Sequence, residues 1–378
     1  MKLERIETPA LLLDAARMER NLARMRARER ALGVRLRPHL KTCKSPEVAR
    51  RIFPGGPGPI TVSTLREAES FLEHGYNDIL YAVGIAPGKI DHVAALRRRG
   101  ADLAVVVDGV QAARALAGRA AELGDRIPAL IEIDCDGHRA GVKPGDAGSL
   151  VAIASALGTA TELRGVMTHA GASYDCRSTD AIRAIAEQER AAVVGSAAVL
   201  RAAGHACPVV SVGSTPTATF AEHLEGVTEM RAGVYVFFDL VMAGIGVCAV
   251  EDIALSVLTT VIGHQRDKGW IVTDAGWMAM SRDRGTANQP LDQGYGVVCN
   301  VQGEPLESLI VAHANQEHGV IARRDGSPAV DFERFPVGTL LRILPNHACA
   351  TAAQHRAYRV VRGSEDRVSD TWERFGGW

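Results

Sequence analysis

Residues 102–134 read DLAVVVDGVQAARALAGRAAELGDRIPALIEID, and this stretch has the pattern of one complete strand–helix–strand unit. The β-branched run Asp102–Asp108 ends at a glycine, Gln111–Leu123 carries apolar residues at helical spacing, and Ile127–Asp134 is a second apolar run. Two strands joined by one helix lie parallel, with a right-handed crossover. The stretch therefore predicts a βαβ unit.

The same alternation of strand and helix recurs from residue 34 to residue 233. The further strand candidates are Val34–Lys41, Pro59–Thr64, Asp78–Gly84, Leu163–His169, Pro208–Ser214 and Val227–Gly233. The further helix candidates are Leu65–His74, Gly88–Arg99, Gly145–Leu157 and Thr179–Ala203. So many units in about 200 residues favour a closed (β/α)8 barrel of the TIM type over an open doubly wound sheet. No Gly-x-Gly-x-x-Gly follows the first strand candidate, which also argues against a dinucleotide-binding fold.

The pattern changes after about residue 250, where helical periodicity nearly disappears. The strand candidates there are separated by Gly, Asp and Pro turns, and they are Ile253–Arg266, Gly269–Asp274, Val297–Val301, Ser308–His313 and Gly338–Pro345. They predict a second, mostly antiparallel β domain. We expect the early run Pro9–Asp14 to pair with that domain rather than enter the barrel. The predicted domains are thus a barrel over residues 15–250 and a β domain made of residues 1–14 and 251–378.

Composition and charge exclude several classes of function. Lys plus Arg number 43 and Asp plus Glu number 44, so no basic excess is present to bind nucleic acid. The seven cysteines are scattered without a Cys-x-x-Cys pair, and Met1–Pro9 contains no apolar signal-peptide region. The most apolar stretch, Val234–Val250, is interrupted by Asp239 and is short for a membrane span. We expect a cytoplasmic protein whose partners are a small molecule and a second copy of itself.

Barrel enzymes carry their active sites at the C-terminal ends of the strands. The first strand candidate ends at Lys41, and the loops after the last two contain Gly213-Ser214-Thr215 and Gly233. Such loops bind phosphate through backbone N–H groups and hydroxyls. A phosphate site opposite a lysine indicates pyridoxal phosphate, whose aldehyde forms a Schiff base with a lysine amine. The alternatives are that Ser214 is an ordinary helix N-cap and that Lys41 is a solvated charge. We expect Lys44 to face solvent or the phosphate.

A second group of residues with metal-binding chemistry lies near the C-terminus, in Pro345-Asn346-His347-Ala348-Cys349. On an extended segment, His347 and Cys349 would point to the same face. Imidazole and thiolate together suit zinc better than magnesium, and two protein ligands leave open positions for a Lewis acid to act. The alternative is a buried cysteine beside a hydrogen-bonded histidine.

Taken in order, separated motifs along the chain resemble those of the D-serine dehydratase and D-threonine aldolase family. These are pyridoxal-phosphate enzymes of the alanine racemase type (fold type III). The motifs are Arg37-Pro38-His39-Leu40-Lys41-Thr42-Cys43-Lys44, Gly213-Ser214-Thr215-Pro216-Thr217, Glu229-Met230-Arg231-Ala232-Gly233-Val234-Tyr235, Asp274-Ala275-Gly276, Glu317-His318-Gly319 and Pro345-Asn346-His347-Ala348-Cys349. The resemblance runs from about Thr8 to the C-terminus and implies a TIM-like barrel followed by a C-terminal β domain.

The resemblance implies a role for each matching residue. Lys41 would hold the cofactor and then move the α-proton, Arg139 would contact the phenolic oxygen, His169 would pack on the ring, and Tyr174 would lie near the pyridine nitrogen. The phosphate would lie against Ser214, Thr215, Gly233 and Val234. His347 and Cys349 match the zinc pair of the dehydratase branch, whereas the aldolase branch carries an aspartate at the position of Cys349. Cys43 stands where relatives frequently have a histidine.

Within the family, the chain resembles the branch that dehydrates 3-hydroxy-D-aspartate. The implied function is pyridoxal-phosphate- and zinc-dependent β-elimination from a β-hydroxy-D-amino acid, giving oxaloacetate and ammonia, with D-serine as a further substrate giving pyruvate. The implied enzyme is a homodimer, and manganese or another divalent ion is an alternative metal. A metal-activated aldolase that releases glycine and an aldehyde remains an alternative, as does a non-catalytic protein that binds pyridoxal phosphate. Arg282, Arg284 and Gln316 are candidates to bind the substrate, the two arginines because a second carboxylate needs a cationic partner.

Overall fold

The computed structural model describes all 378 residues apart from the side chain of Glu307. The strands are β1 (Ala10–Asp14), β2 (Arg35–Leu36), β3 (Ile60–Val62), β4 (Asp78–Gly84), β5 (Asp102–Val107), β6 (Ile127–Ile133), β7 (Thr161–Thr168), β8 (Val209–Val212), β9 (Glu229–Met230), β10 (Leu255–Gln265), β11 (Trp270–Thr273), β12 (Gly296–Cys299), β13 (Pro305–Ala314), β14 (Gly319–Arg323), β15 (Leu340–Pro345), β16 (Ala357–Val361) and β17 (Asp370–Glu373). The α-helices are α1 (Ala15–Leu32), α2 (Pro46–Ile52), α3 (Leu65–Leu72), α4 (Ile90–Arg98), α5 (Val110–Leu123), α6 (Ala147–Leu157), α7 (Thr179–Ala202), α8 (Thr215–Phe220), α9 (Leu240–Gly244), α10 (Trp277–Met280) and α11 (Ala348–Ala352).

The chain forms two compact units, one of Met25–Gly233 with Gly376–Trp378 and the other of Met1–Arg24 with Val234–Phe375. In the first unit, β2 to β9 form a parallel sheet in the order β2-β9-β8-β7-β6-β5-β4-β3. A parallel bridge between His39 and Thr61 joins its two ends. The N–H of Leu40 donates to the Thr61 carbonyl at 2.9 Å, and the N–H of Thr61 donates to the Pro38 carbonyl at 2.9 Å. The sheet is therefore closed into a barrel.

The barrel interior has an apolar part and a polar part. Leu80, Ala104, Val106, Leu130 and Met167 form a buried cluster inside it. Hydrogen bonds also connect a group of buried polar side chains on neighbouring barrel strands. Arg37 Nε donates to Glu229 at 2.9 Å, the Ser211 hydroxyl donates to Glu229 at 2.9 Å, and Arg231 Nε donates to Ser211 at 2.9 Å. A buried charge is tolerated only when it is paired in this way. These hydrogen bonds link strands β2, β8 and β9. The end of the barrel at the C-terminal ends of its strands is called the mouth below.

The second unit contains a sheet with the order β11-β14-β13-β12-β15-β10-β1-β16-β17, and β10 also pairs with β11. Its neighbours are antiparallel except for β1 and β16. As expected, the early strand β1 belongs to this sheet, where Leu12 pairs with Ser256 on one side and with Arg359 on the other. Its apolar core includes Leu3, Leu12, Leu258 and Val361. None of the helices in the described residues is both long and apolar enough to cross a bilayer.

The two kinds of sheet confirm the predicted fold class, a (β/α)8 barrel with a mostly antiparallel β domain. Several element bounds differ from the prediction. The first barrel strand, Arg35–Leu36, is far shorter than Val34–Lys41, although the N–H groups of Arg37 and His39 still donate to the carbonyls of Met230 and Ala232. Helix α2 was not predicted, although Ser45-Pro46-Glu47 carries the N-cap, proline and acidic residue typical of a helix start. The strands β14, β16 and β17 were also missed.

Candidate active site and metal centre

Lys41 lies at the mouth of the barrel, just after β2, with an exposed side chain. The nearby Lys44 does not match the expectation that it faces solvent or a phosphate. Its ammonium lies 3.1 Å from Oε1 of Glu67, whose side chain is 1% exposed. Lys44 also adopts the left-handed conformation, with φ at 45°, and its N–H donates to the Leu40 carbonyl at 2.8 Å. This ion pair anchors the turn that carries Lys41, because a buried carboxylate holds its cation firmly.

His169 follows β7 and faces the same mouth. Its Nδ1–H donates to the Gly213 carbonyl at 2.7 Å, which leaves Nε2 without a proton in the neutral ring. Burial lowers the pKa of His169, the bond to Gly213 opposes this change, and the charges of Arg231, Lys41 and Arg139 lower the pKa further, to about 4. His169 is therefore neutral at pH 7, and it lies within electrostatic reach of Lys41 and Arg139. A neutral, orientated imidazole is suited to packing on an aromatic ring.

His39, two residues before Lys41, is a second half-buried imidazole at the mouth of the barrel. Its Nε2 lies 3.3 Å from the Ser63 hydroxyl. Burial and the charges of Lys41, Arg231 and His169 hold the pKa of His39 well below its usual value. His39 was not among the predicted site residues.

Tyr174 lies in the short helical turn Gly171–Tyr174 that follows β7. Its ring centroid is 6.1 Å from that of His169, with an angle of 46° between the ring planes. The same turn reaches the next loop through Ser173, whose hydroxyl is 2.9 Å from the hydroxyl of Ser214. The structure thus brings His169, Tyr174 and Ser214 together.

The loop Gly213-Ser214-Thr215 leads into α8 as the sequence indicates. Ser214 is the N-cap of α8, its side chain accepts from the N–H of Thr217 at 3.2 Å, and Thr215 is buried at the first helical position. A Cβ on Gly213 would lie 2.1 Å from the Arg231 carbonyl oxygen, so no larger residue fits there. A Cβ on Gly233 would lie 2.9 Å from both His39 O and Thr42 Oγ1. Glycine at these two positions lets the loops after β8 and β9 pack closely against neighbouring parts of the barrel unit.

The other two predicted cofactor residues are placed differently. Arg139 lies in the loop after β6 with 60% of its side chain exposed, and its Nη2 is 3.6 Å from Oε1 of Glu132. Burial raises the pKa of Glu132, and the charge of Arg139 opposes that change. Val234 belongs to the second unit, where it is buried and begins a short 3-10 helix. Of the predicted set, Lys41, Arg139, His169, Tyr174, Ser214, Thr215 and Gly233 lie in the barrel unit.

These residues fit pyridoxal phosphate. The amine of Lys41 is accessible for the aldehyde, and the neutral His169 provides a flat partner for the ring. Ser214 and Thr215 begin α8 at the same end of the barrel, and hydroxyls with the backbone N–H groups of a helix start are suited to a phosphate. The arrangement can bind the cofactor covalently and hold its phosphate.

His347 and Cys349 lie in the β unit, at the start of α11. The expectation of an extended segment is wrong beyond His347: this residue is the N-cap of the helix, with φ at −136°, and Cys349 is already in the first helical turn. The N–H of Thr351 donates to the His347 carbonyl at 3.1 Å, which is a hydrogen bond of the helical type. A hydrogen bond between the two side chains nevertheless brings imidazole and thiol together.

Two aspartates that were not among the predicted site residues form hydrogen bonds at this pair. Asp239 is buried, and Asp283 is half-buried. The Nδ1–H of His347 donates to Asp283 Oδ2 at 2.6 Å, and the N–H of Ala348 donates to Asp239 Oδ2 at 2.9 Å. Burial opposes protonation of His347, but the bonds to Asp283 and Cys349 and the charges of Cys349 and Asp239 raise its pKa to about 11. An imidazole fixed through Nδ1 by a carboxylate presents Nε2 to a metal. No third His, Cys, Asp or Glu completes a metal cluster among the residues that the structure describes. The donor set fits a borderline metal with open positions.

The three candidate substrate residues lie on the surface of the β unit. The Arg282 guanidinium lies 5.1 Å from the centre of the Trp277 ring, and Arg284 pairs with Asp292 at 2.5 Å. Gln316 is exposed, and its backbone carbonyl accepts from the N–H of Met278 at 3.1 Å. Cys43, whose role the sequence left open, is buried, and its thiol lies 3.5 Å from the Leu40 carbonyl.

Two known families cover most of the chain. Residues 13–241 match the family described as "Alanine racemase, N-terminal domain". Residues 254–361 match the family described as "Putative serine dehydratase domain". The two matches correspond to the barrel strands and to most strands of the antiparallel sheet.

Relatives of known activity align over nearly the full length. D-threo-3-hydroxyaspartate dehydratase from Delftia sp. (strain HT23) is 57% identical over 375 residues, which cover 99% of this chain and 98% of that protein. Its solved structure covers 100% of both chains with a TM-score of 0.97. D-serine dehydratase from Dictyostelium discoideum is 29% identical over 385 residues, covering 96% of this chain and 95% of the relative. 3-Hydroxy-D-aspartate aldolase from Paracoccus denitrificans (strain Pd 1222) is 30% identical over 376 residues, covering 97% of this chain and 91% of the relative.

Two further structures of D-threo-3-hydroxyaspartate dehydratase carry single substitutions, a histidine to alanine and a cysteine to alanine. The substituted positions are two residues apart, and the cysteine mutant is described as being in the metal-free form. Both structures have a TM-score of 0.97 with this chain. With its barrel, its antiparallel β domain and its full-length relatives, the chain belongs to the D-threo-3-hydroxyaspartate dehydratase and D-serine dehydratase family, the pyridoxal-phosphate lyases with the alanine racemase fold.

Proposed function

We propose that this chain is a dehydratase that eliminates water from D-threo-3-hydroxyaspartate, giving oxaloacetate and ammonia. The observation that carries the proposal is the 57% identity to D-threo-3-hydroxyaspartate dehydratase over the full chain. D-Serine is the second substrate, giving pyruvate, because a D-serine dehydratase is also a full-length relative. In this proposal residues 15–250 bind the cofactor, and residues 1–14 and 251–378 form the domain that holds the metal.

Pyridoxal phosphate, when bound, withdraws electrons from the α-carbon of the amino acid. The amine of Lys41 would hold the cofactor and would move the α-proton. Arg139 would bind the phenolic oxygen, and His169, kept neutral by burial, would pack on the ring without adding a charge. Tyr174 would bind near the pyridine nitrogen. The phosphate would be held by Ser214, Thr215, Gly233 and Val234.

Hydroxide is a poor leaving group, so the second part of the proposal concerns a metal. His347 and Cys349 would hold a divalent ion, and such an ion would supply a Lewis acid that lowers the basicity of the departing hydroxide. Zinc is the ion we propose, because thiolate with imidazole is a zinc donor set, and manganese is the alternative. The metal-free cysteine mutant of D-threo-3-hydroxyaspartate dehydratase supports a metal at a His-x-Cys pair of this kind. Loss of water and hydrolysis of the released imine complete the reaction.

The second carboxylate of hydroxyaspartate requires cationic or amide partners, for which we propose Arg282, Arg284 and Gln316. Arg284 would have to exchange its present partner, Asp292, for the substrate. We further propose that the enzyme is a cytoplasmic homodimer. The seven cysteines form no disulfide in the part of the chain described, which is compatible with a reducing compartment.

The test is a product assay on the purified protein loaded with pyridoxal phosphate, using 3-hydroxy-D-aspartate, D-serine and D-threonine with and without zinc. Zinc-dependent ammonia, greatest with hydroxyaspartate, is the expected result. Glycine in place of ammonia would establish the aldolase, an activity that a relative 30% identical carries. A protein that binds the cofactor yet turns over none of these substrates with zinc present would be a binding protein only.

A further inference from the structure

Glu189 is a buried carboxylate in the middle of α7 that the proposed reaction does not use. Its side chain is only 2% exposed. Burying a carboxylate costs free energy unless its oxygens accept hydrogen bonds. The contacts of Glu189 therefore indicate what this residue does.

A single oxygen of Glu189 binds two separate loops at the mouth of the barrel. Oε1 accepts from the N–H of Gly213 at 2.9 Å and from the N–H of Ala170 at 3.1 Å. Gly213 begins the loop that contains Ser214, and Ala170 directly follows His169. The carboxylate also forms a hydrogen bond with the side chain of Thr217, which completes the cap of α8. Glu189 is thus the common acceptor for the loops after β7 and β8.

Further hydrogen bonds connect these loops to one another. The Nδ1–H of His169 donates to the Gly213 carbonyl at 2.7 Å, and the Ser173 hydroxyl lies 2.9 Å from the Ser214 hydroxyl. The N–H of Gly213 is held by Glu189 while its carbonyl is held by His169. A shift of either loop would therefore change the orientation of His169 and the position of Ser214 together. Groups that share a buried network in this way move as a unit.

We propose that Glu189 is a positioning residue of the cofactor site, which fixes Ser214 for the phosphate and His169 for the ring through the backbone of Gly213 and Ala170. The inference rests on the proposed function, since it requires pyridoxal phosphate as the ligand. Its action depends on an oxygen acceptor and does not depend on a negative charge. Glutamine, which keeps an acceptor oxygen and can donate to Thr217, should replace it.

The experiment measures the dissociation constant for pyridoxal phosphate in the full chain, by titrating cofactor-free protein and following the absorbance of the bound cofactor. Glu189→Met keeps the length of the side chain and removes both oxygens, and it should raise the dissociation constant about tenfold or more. Glu189→Gln should stay within about threefold of the wild type. Val193→Ala is the matched control, because Val193 is fully buried on the same helix and its truncation leaves the two loops untouched.

The phosphorus NMR shift of the bound cofactor gives a second readout, which should change in Glu189→Met and stay unchanged in Val193→Ala. If Glu189→Met does not fold, Glu189→Asp, which draws the acceptor back by one methylene, replaces it. Unchanged affinity in these variants would overturn the inference, and so would equal losses in Glu189→Gln or in Val193→Ala. A wild-type chain that takes up no pyridoxal phosphate would instead contradict the proposed function.

Discussion

The Nδ1 atom of His347 lies 2.6 Å from Oδ2 of Asp283, although 64 residues separate the two in the chain. A carboxylate on one nitrogen of an imidazole sets which nitrogen is left to bind a metal and increases its basicity. Asp283 therefore orients the imidazole of His347 in the way that a metal ligand requires. The N–H of Ala348 donates to Asp239 Oδ2 at 2.9 Å, and this bond fixes the backbone between the two proposed ligands.

Asp283→Asn should weaken metal binding by about 10- to 100-fold, because the amide neither aligns the imidazole nor raises its basicity as a carboxylate does. The measurement is competition for zinc against a coloured chelator. Asp292→Asn is the control, since Asp292 is an aspartate of the same unit that pairs with Arg284. Equal zinc affinity in Asp283→Asn and the wild type would contradict the assigned role.

Lys41→Ala should abolish covalent attachment of pyridoxal phosphate, because the proposed amine is then missing. Treatment with borohydride and mass spectrometry of the peptides checks this, and the added mass should fall on Lys41 in the wild type. Lys268→Ala, which removes an exposed lysine, should label like the wild type. Label on any other lysine in the wild type would show that Lys41 was wrongly assigned.

Lys44→Met should lower the free energy of unfolding by about 3–5 kcal/mol, because it leaves the buried carboxylate of Glu67 without its cation. Urea unfolding measures the loss, and the double variant Lys44→Met with Glu67→Gln should recover part of it. A loss below about 1 kcal/mol, as for exposed ion pairs, would contradict this account.

His169 should make the cofactor-free protein less stable in mild acid. Its pKa is about 4 in the folded chain, against 6.5 for the ordinary side chain. As pH falls from 6.5 to 4, the unfolded chain takes up a proton that the folded chain refuses. The contribution of neutral His169 to the free energy of unfolding is therefore fully present above pH 6.5. It declines as the pH falls through this window, by about 3 kcal/mol at pH 4.

His169→Gln should remove that part of the pH dependence, measured as the free energy of unfolding in urea between pH 7 and pH 4.5. Ser173→Ala, a neighbouring change without a titrating group, should keep the wild-type slope. The same slope in His169→Gln and the wild type would show that other groups cause the acid sensitivity.

The alternation of strand and helix was predictable because each βα unit is encoded within about 30 residues. The position of Lys41 at a strand end and the cap at Ser214 were predictable for the same reason, since both depend on neighbours in the chain. Glu189 carried no such signal. Its partners Ala170 and Gly213 lie 19 and 24 residues away, and only the folded barrel brings them to one oxygen.

The proposed metal pair shows a different limit. The spacing made His347 and Cys349 candidates, but the backbone conformation between them was predicted wrongly as extended. A segment of small residues such as Ala348-Cys349-Ala350 can be a strand or a helix, and the Asp239 contact to Ala348 forms only in the tertiary structure. Strand β16 was missed together with its neighbour β17, and its other partner, β1, lies at the far end of the chain.

The closure of the barrel has a consequence for synthesis on the ribosome. The two-residue strand that precedes Lys41 is held on one side by β9, whose Glu229 lies 194 residues after Arg35. In a nascent chain whose β9 has not yet left the ribosome, this strand lacks its hydrogen-bonded neighbour. Lys41 would then have no fixed position, so a truncated or stalled chain should be unable to capture the cofactor. Cofactor uptake would accordingly report that translation has passed the last barrel strand.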